Sequence, residues 1–235
     1  MKFIRRALVS VVAAVALVVG PAVSAEAASA SFDVTKLSAK SIVISSGGDR
    51  QIEVDMSQKS NGVKSWNVSV EVFKGGQYVG DVDFAHDSDP KRSRISVEPW
   101  WYGLGKYQVG PSRVRGYDSA QWDANRVVYR TDYTKGSFYV RGKTYASLAS
   151  KRSGKTITLT STTKVYNPEK YGKVSYSPKV KFQVKSGSKW KTLKTVAAKK
   201  GKATYKVKTK SKKTYRVTFG QISWATGATS KSVKR

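Results

Sequence analysis

Apolar and polar residues alternate along most of the chain, in short runs that are separated by glycine, serine, asparagine and proline. A period of two is typical of β-strands with one buried face, and no window shows a sustained helical period. In the first half the clearest run covers residues 66–72, and Gly75-Gly76 then forms a hairpin turn before the next run, Tyr78 to Val82. The pattern predicts an all-β protein.

The second half shows the same alternation more cleanly. Its runs begin at Phe138 and continue to Val233, with turns at 186–188 and at Lys200-Gly201. Many short strands in about 100 residues predict an antiparallel sandwich. Residues 131–136 are polar and without periodic apolar positions, so we predict one β-sandwich in residues 28–135 and a second in 136–235.

The first residues follow a different pattern. Three basic side chains lie in residues 1–6, an apolar stretch follows at 7–19, and small residues fill 22–28. This order is typical of a secretory signal peptide, and the apolar stretch is short for a bilayer span. We expect residues 1–27 to be removed, with cleavage after Ala25 or Ala27; an uncleaved anchor helix is the alternative. We expect no transmembrane segment in the mature chain.

Cysteine is absent from the sequence, whereas 6 Trp, 13 Tyr and 7 Phe are present. In an exported protein this means that no disulfide supports either sandwich. Each sandwich is therefore expected to be stabilised by its own apolar core.

The charge changes the picture, because it is unevenly placed. The chain has a formal net charge of +29, and residues 136–235 contain 26 Lys and Arg against a single acid, Glu169, for a net +25. Residues 28–135 contain 15 basic and 13 acidic side chains, for a net +2. Such asymmetry between halves suggests two domains with different roles.

Several strand-and-turn segments of the second half carry a resemblance to a known family. They are 155–160 (KTITLT), 180–184 (VKFQV), 189–193 (KWKTL), 201–205 (GKATY) and 213–219 (KTYRVTF). These segments resemble the bacterial immunoglobulin-like domains of secreted proteins from high-GC Gram-positive bacteria, of actinobacterial type. The likeness covers 136–235 and extends more weakly to the first half, where 45–48 (SSGG) leads into the strand with Ile52. It implies two tandem immunoglobulin-like sandwiches that act as spacers or adhesive modules.

Lysines alternate with apolar residues in the second half, which places them on solvent-facing positions. We expect contact with a polyanion: anionic wall polymers, acidic polysaccharide or extracellular nucleic acid, bound without selectivity. The alternative is that the charge only maintains solubility and prevents sheet aggregation. The candidate polyanion-binding residues are Lys179, Lys181, Lys185, Lys189, Lys191, Lys194, Lys206, Lys208, Lys210 and Lys212.

Trp100, Trp101 and Tyr102 form an aromatic cluster between two predicted strands and are candidate glycan ligands. Adjacent residues of a strand face opposite ways, so we expect one buried and one exposed tryptophan. A second group that we expect to be exposed comprises Tyr166, Tyr171 and Tyr176. A carbohydrate-binding module is therefore the alternative function.

Four carboxylates, Asp81, Asp83, Asp87 and Asp89, lie close together around His86. They are a weak calcium candidate, since calcium takes several oxygen ligands, but the spacing differs from that of an EF-hand. A solvated strand end and loop is the alternative. We expect no other cofactor.

Catalytic chemistry is not predicted. The chain has no cysteine and one histidine, and it contains no Gly-x-Ser-x-Gly elbow. We expect a secreted, monomeric, non-enzymatic binding or adhesive protein that its lysine-rich sandwich holds at the cell envelope or extracellular matrix. A structural or inhibitory secreted protein is the remaining alternative.

Overall fold

The computed structural model describes residues 29–121 and 124–235. The predicted signal peptide, residues 1–27, lies outside these residues. The described chain forms strands throughout, apart from one short helix. None of its helices is long and apolar enough to cross a membrane.

The first sandwich comprises residues 29–121 and 124–142. Its elements are β1 (Ser31–Ala39), β2 (Ile42–Ile44), β3 (Arg50–Asn61), β4 (Ser65–Lys74), β5 (Gln77–Ala85), β6 (Arg92–Val97), α1 (Pro99–Tyr102), β7 (Gly105–Tyr117), β8 (Arg126–Asp132) and β9 (Gly136–Gly142). One sheet has the order β1-β3-β6. The other has the order β2-β9-β7-β4-β5, and β8 also pairs with β7.

Alternation along the strands builds the core between these two sheets. On β4, Trp66, Val68, Val70 and Val72 are buried, while the residues between them are exposed or half-buried. They pack with Phe32 and other apolar side chains of the facing sheet in one cluster. The period of two predicted from the sequence is therefore the period of burial.

The strand order of the first sandwich is immunoglobulin-like. Strands in the A, B and E positions (β1, β3, β6) form one sheet, and those in the C, F and G positions (β4, β7, β9) lie in the other. Tyr107, near the start of β7, donates its hydroxyl to the Gly103 carbonyl oxygen at 2.7 Å. This is the tyrosine corner of such folds. One pair departs from the predicted antiparallel arrangement, since β2 runs parallel to β9.

The second sandwich comprises residues 144–235. Its strands are β10 (Thr144–Ser153), β11 (Thr156–Asn167), β12 (Gly172–Ser175), β13 (Lys179–Ser186), β14 (Lys189–Ala197), β15 (Lys202–Lys208), β16 (Thr214–Phe219), β17 (Ala228–Thr229) and β18 (Val233–Lys234). The first sheet has β11 at its centre, paired with β10, β12 and β15. The second has the order β14-β13-β16-β17, and β18 also pairs with β16.

The second sandwich has its own core. The inward positions of β11 include Ile157 and Leu159, and those of β13 include Val180 and Phe182; all four are fully buried. They belong to a cluster separate from that of the first sandwich. The prediction of two cores without disulfides is consistent with this arrangement.

The predicted boundary between residues 135 and 136 falls inside the first sandwich, which extends to Gly142. Strand β9 was expected to open the second sandwich, but it pairs with β7 and β2. The polar segment before β9 is not a linker, because Thr134 donates its hydroxyl to the Val34 carbonyl oxygen at 2.7 Å. Its polar residues pair with strand β1 instead of facing solvent.

Candidate functional site

The ten candidate lysines of the second sandwich are all exposed. Lys179, Lys181 and Lys185 lie on β13. Lys189, Lys191 and Lys194 lie on the neighbouring edge strand β14. Lys206 and Lys208 lie on β15, which belongs to the opposite sheet. Lys210 and Lys212 lie in the turn that follows β15. The structure therefore distributes the lysines over both sheets instead of gathering them on one face.

The outer face of the sheet that contains β13 combines lysines with a cation–π pair of one arginine and one tryptophan. Lys185 is opposite Trp190 on β14, and the Arg216 guanidinium lies 4.1 Å from the Trp190 ring centroid. Arg216 also donates Nε to Gln183 Oε1 at 2.8 Å. Because Arg216 is held in place by both contacts, it is a fixed positive charge among the lysines, and sequence reasoning did not identify it.

A β-bulge between Phe182 and Gln183 changes the direction of part of β14. Lys194 is opposite the buried Phe182, and Lys191 is opposite the buried Val184. Since β14 is an edge strand, both lysines stay exposed at the rim of the sandwich. The long aliphatic stem of lysine allows this position, because the ammonium reaches water.

The other sheet presents a surface that we call the threonine–lysine face. Thr156, Thr158, Thr160 and Thr162 occupy alternate positions of β11 and are half-exposed. The flanking strands carry the basic members of the face: Lys202, Lys206 and Lys208 on β15, and Lys151 on β10. In the sequence the threonine segment carries the family resemblance. The signal for a surface is the alternation of threonine with Ile157, Leu159 and Ser161.

The two sandwiches differ in their ion pairs. Among the described residues the ion pairs all belong to the first sandwich: Arg92–Asp55, Arg94–Glu53, Arg113–Asp81, Arg130–Asp33 and Arg130–Asp132. In the described part of the second sandwich, neither Glu169 nor any lysine is in an ion pair. Its positive charge is consequently compensated only by solvent ions.

The aromatic cluster 100–102 lies on helix α1, not on a strand. Trp100 is half-buried and donates Nε1 to Asp49 Oδ1 at 3.2 Å, whereas Trp101 is 65% exposed. The two rings are 6.0 Å apart and inclined by 68°, so they do not form one flat stacking surface. Tyr102 packs against the first core.

The second aromatic group is mostly buried, which corrects the expectation of an exposed cluster. Tyr166 is 4% exposed and joins the core of the first sandwich although it lies on β11. Tyr176 packs edge-on against Trp224, with ring centroids 5.3 Å apart. Only Tyr171 of this group is exposed. The sequence did not reveal this burial, because it depends on contacts of Tyr166 with the first core and of Tyr176 with the second.

A cleft of about 250 Å³ lies where the two sandwiches meet. The backbone joins them there, since Gly142 N donates to the Trp224 carbonyl oxygen and Thr226 N donates to that of Gly142. Glu169 Oε1 lies 3.3 Å from the position that a β-carbon on Gly103 would take, so α1 ends beside the cleft. The cleft is lined by Leu104, Val165, Asn167, Pro168, Glu169, Val174, Ser175 and Trp224.

The four candidate calcium ligands have separate environments. Asp81 Oδ2 accepts from Arg113 at 3.2 Å, and Asp89 Oδ1 accepts backbone N–H groups of Lys91 and Arg92. Asp83 lies on β5 and Asp87 in the turn after it. Within residues 29–121 and 124–235, the structure forms no group of three or more acidic, histidine or cysteine side chains suited to a metal ion.

No protein-family model matches the chain, and no curated protein matches it in sequence. Similar solved structures include the fibronectin(III)-like modules of CbhA from Clostridium thermocellum, at 13% identity over 87% of this chain and 90% of that one, with a TM-score of 0.30. The D00-D0 domain of Intimin is similar at 14% identity over 87% of this chain and 98% of that one, with a TM-score of 0.28. Because these scores are low, the fold assignment rests on the strand order of the two sandwiches, and we infer no function from these structures.

Proposed function

We propose that the protein is a secreted, non-enzymatic binding protein whose second sandwich holds it on anionic polymers of the cell envelope or extracellular matrix. The observation that carries this proposal is an exposed set of lysines without acidic partners in the described part of the second sandwich. The first sandwich, with near-zero net charge, would remain free to present its loops to another partner.

The electrostatic balance favours binding over mere solubility. The second sandwich, residues 144–235, contains 24 Lys and Arg against Glu169, and this net charge of +23 destabilises a compact domain by self-repulsion. Fewer charges, of magnitude about 2 to 8, suffice to keep a small domain soluble. A bound polyanion relieves the repulsion and releases its own counterions. Both effects make the free energy of binding more favourable.

Lysine also determines the kind of recognition. Its ammonium group is a compact, strongly hydrated charge without the planar fork of arginine. We therefore expect attraction to phosphate and carboxylate polymers alike, with strong salt dependence. Secretion rests on the signal-peptide pattern of residues 1–27.

The test is retention of the mature protein on isolated Gram-positive cell walls across a salt series from about 0.05 to 0.5 M. Walls from which anionic polymers have been extracted are the control. We expect retention that falls steeply with salt and is lost on extracted walls. Retention that is independent of salt, or no retention at about 0.15 M salt, would overturn the proposal.

A second candidate function, saccharide binding, is favoured by the cleft between the sandwiches, because concave sites at domain interfaces commonly bind ligands. Trp224 is 37% exposed there and offers a ring for stacking on a sugar. Saccharide titration of Trp224→Ala tests this function, with Tyr129→Ala on strand β8 as the control. Equal affinities of both variants and the wild type would contradict it.

A further inference from the structure

The threonine–lysine face differs from the other basic surfaces in having a repeat along one axis. We propose that this face binds a linear phosphodiester polymer with a three-carbon polyol between successive phosphates, laid along strand β11. This inference rests on the proposed polyanion-binding function and assigns it one face and one polymer class.

The register sets the dimensions of the face. Side chains on one side of a strand repeat every 6.6 to 6.8 Å or so, at about 3.3 to 3.4 Å per residue. Lys208 is opposite Thr156, Lys206 is opposite Thr158, and Lys202 is opposite Thr162. Each threonine hydroxyl can donate and accept a hydrogen bond, so phosphate oxygens and polyol hydroxyls both find partners.

The lysines border the threonine row on two sides. Thr158 lies between Lys206 of β15 and Lys151 of β10. Two interstrand spacings separate these lysine positions by about 9 to 10 Å. The face is therefore a strip one polymer chain wide, with hydroxyl groups along its middle, three ammonium groups along the β15 edge and one, that of Lys151, on the β10 edge.

The repeat length identifies the polymer class. A peptide residue contributes three backbone bonds and spans at most about 3.3 to 3.6 Å, so a backbone of six bonds per repeat spans about 7 Å. A three-carbon polyol phosphate has six backbone bonds between phosphorus atoms. Its extended repeat thus matches the spacing of alternate side chains on β11, which places successive phosphates beside successive threonines.

Single-stranded nucleic acid has the same number of backbone bonds per phosphate, but its recognition uses aromatic side chains that stack on the bases. In the described residues of this sheet, the aromatic side chain on the outer face of β10 is Tyr145, at the end of the threonine row, and Lys173 already lies 4.2 Å from its ring centroid. A surface of hydroxyl groups suits a polyol better than bases.

The outer face of the other sheet, which contains β13, β14 and β16, has no such row of free hydroxyl groups among the described residues. Thr218 donates its hydroxyl to the Ala228 carbonyl oxygen at 3.1 Å, and Thr192 accepts from Gln183 Nε2 at 3.2 Å. By contrast, the four β11 hydroxyls make no side-chain hydrogen bond to any described residue. Both faces carry lysines, but only the threonine–lysine face places a row of hydroxyl groups beside them.

The experiment measures the affinity of full-length mature protein for purified poly(glycerol phosphate) at about 0.1 M salt and the slope of log K against log salt. The test variant is Lys202→Gln/Lys206→Gln/Lys208→Gln. The matched control is Lys170→Gln/Lys231→Gln/Lys234→Gln, which removes the same charge from exposed positions of the same sandwich outside the threonine–lysine face and the ten candidate lysines. A third variant, Thr158→Val/Thr160→Val, keeps charge and β-branched shape.

We expect the test variant to bind at least tenfold more weakly, with a salt slope reduced by about 2, since each neutralised charge contributes about 0.7. The control variant should change affinity by less than about threefold, and the threonine variant should weaken binding about three- to tenfold without changing the slope. Circular dichroism and melting curves verify that each variant is folded.

Equal losses in the two lysine variants, or wild-type affinity in the threonine variant, would overturn this inference and leave the proposed function standing. Failure of the wild-type protein to bind any polyanion would overturn the proposed function itself. Oligothymidylate of equal charge is the last arm: tighter binding to it than to the polyol phosphate would overturn the assignment of polymer class.

Discussion

The two sandwiches share a strand order and a pattern of inward apolar residues, but they differ in whether their basic side chains are paired with carboxylates. In the first, basic side chains pair with carboxylates, as Arg94 does with Glu53 at 3.0 Å. In the second, the outward positions of β13 and β15 hold lysines without acidic partners among the described residues. Because inward positions specify the fold and outward positions face the solvent, the same architecture can be neutral or strongly basic.

The buried polar groups show the same difference. Asp132 is 5% exposed in the first sandwich, and it accepts hydrogen bonds from Val34 N, Thr134 N and the Arg130 guanidinium. The second sandwich buries a neutral group instead, since the Thr163 hydroxyl donates to the Tyr176 carbonyl oxygen. A charged link should respond to pH, and a neutral one should not.

Removal of Asp132 is the largest expected effect. The change Asp132→Ala leaves the Val34 N–H without its acceptor and removes a charge partner of Arg130. Because Arg130 is exposed and keeps Asp33 as a partner, the main cost is that of the Val34 and Thr134 N–H groups left without an acceptor, roughly 2 to 3 kcal/mol. Urea unfolding followed by hydrogen-exchange mass spectrometry should show the loss in first-sandwich peptides. Equal destabilisation of both sandwiches would contradict a local role of Asp132 in the first sandwich.

Acid should affect the first sandwich selectively. Burial alone would raise the pKa of Asp132, but hydrogen bonds from Thr134 and Val34 and the charge of Arg130 outweigh it and hold the pKa below its ordinary 3.8. Ionised Asp132 therefore stabilises the fold above pH 3.8, and this contribution is lost as pH falls through the lowered pKa.

Hydrogen exchange measured between pH 7 and about pH 2.5 checks this prediction, after correction for the intrinsic pH dependence of exchange. First-sandwich peptides should lose protection at the acid end. The second sandwich, whose only acid is Glu169, should keep its stability over that range. A second sandwich that loses protection first would show that charge repulsion, not carboxylate pairing, controls the acid response.

The change Thr163→Val is the smaller counterpart in the second sandwich. It removes the hydroxyl that bonds to the Tyr176 carbonyl oxygen while keeping the shape of the side chain. We expect a loss of about 1 to 2 kcal/mol in the second sandwich, since the buried carbonyl loses a partner. Chemical denaturation at pH 7 and pH 4 should give the same loss, and a strongly pH-dependent loss would contradict the assignment.

The strands were predictable because burial follows a period of two, as on β4 and β13. The boundary between the sandwiches was not, because polarity in 131–136 looks the same whether a segment faces water or pairs with a neighbour. Asp132 and Thr134 bond to β1 through contacts nearly 100 residues apart in sequence. Such long-range pairing leaves no local signal.

The exposed lysines of the candidate site were predicted from the sequence, but the surface that they form with the β11 threonines was not. Alternation placed Lys179, Lys181 and Lys185 correctly on a solvent-facing side. The threonine–lysine face depends on β15 pairing with β11, two strands that are far apart in sequence. The helix at 99–102 was missed because a four-residue element has no periodicity to detect.

The measurement that tests the central claim most directly compares two variants of equal charge loss for binding to isolated anionic wall polymer. The first-sandwich variant changes Lys36, Lys40, Lys59, Lys64 and Lys91 to Gln. The second-sandwich variant changes Lys181, Lys185, Lys202, Lys206 and Lys208 to Gln. All ten positions are exposed, so both proteins should fold.

We expect the second-sandwich variant to lose at least about 2 from the slope of log K against log salt, because Lys202, Lys206 and Lys208 each contribute about 0.7. The first-sandwich variant should keep a slope within about 1 of the wild type. That result would locate polyanion binding in the second sandwich. Equal reductions in the two variants would show that binding depends on total charge alone, and would contradict the division of roles between the sandwiches.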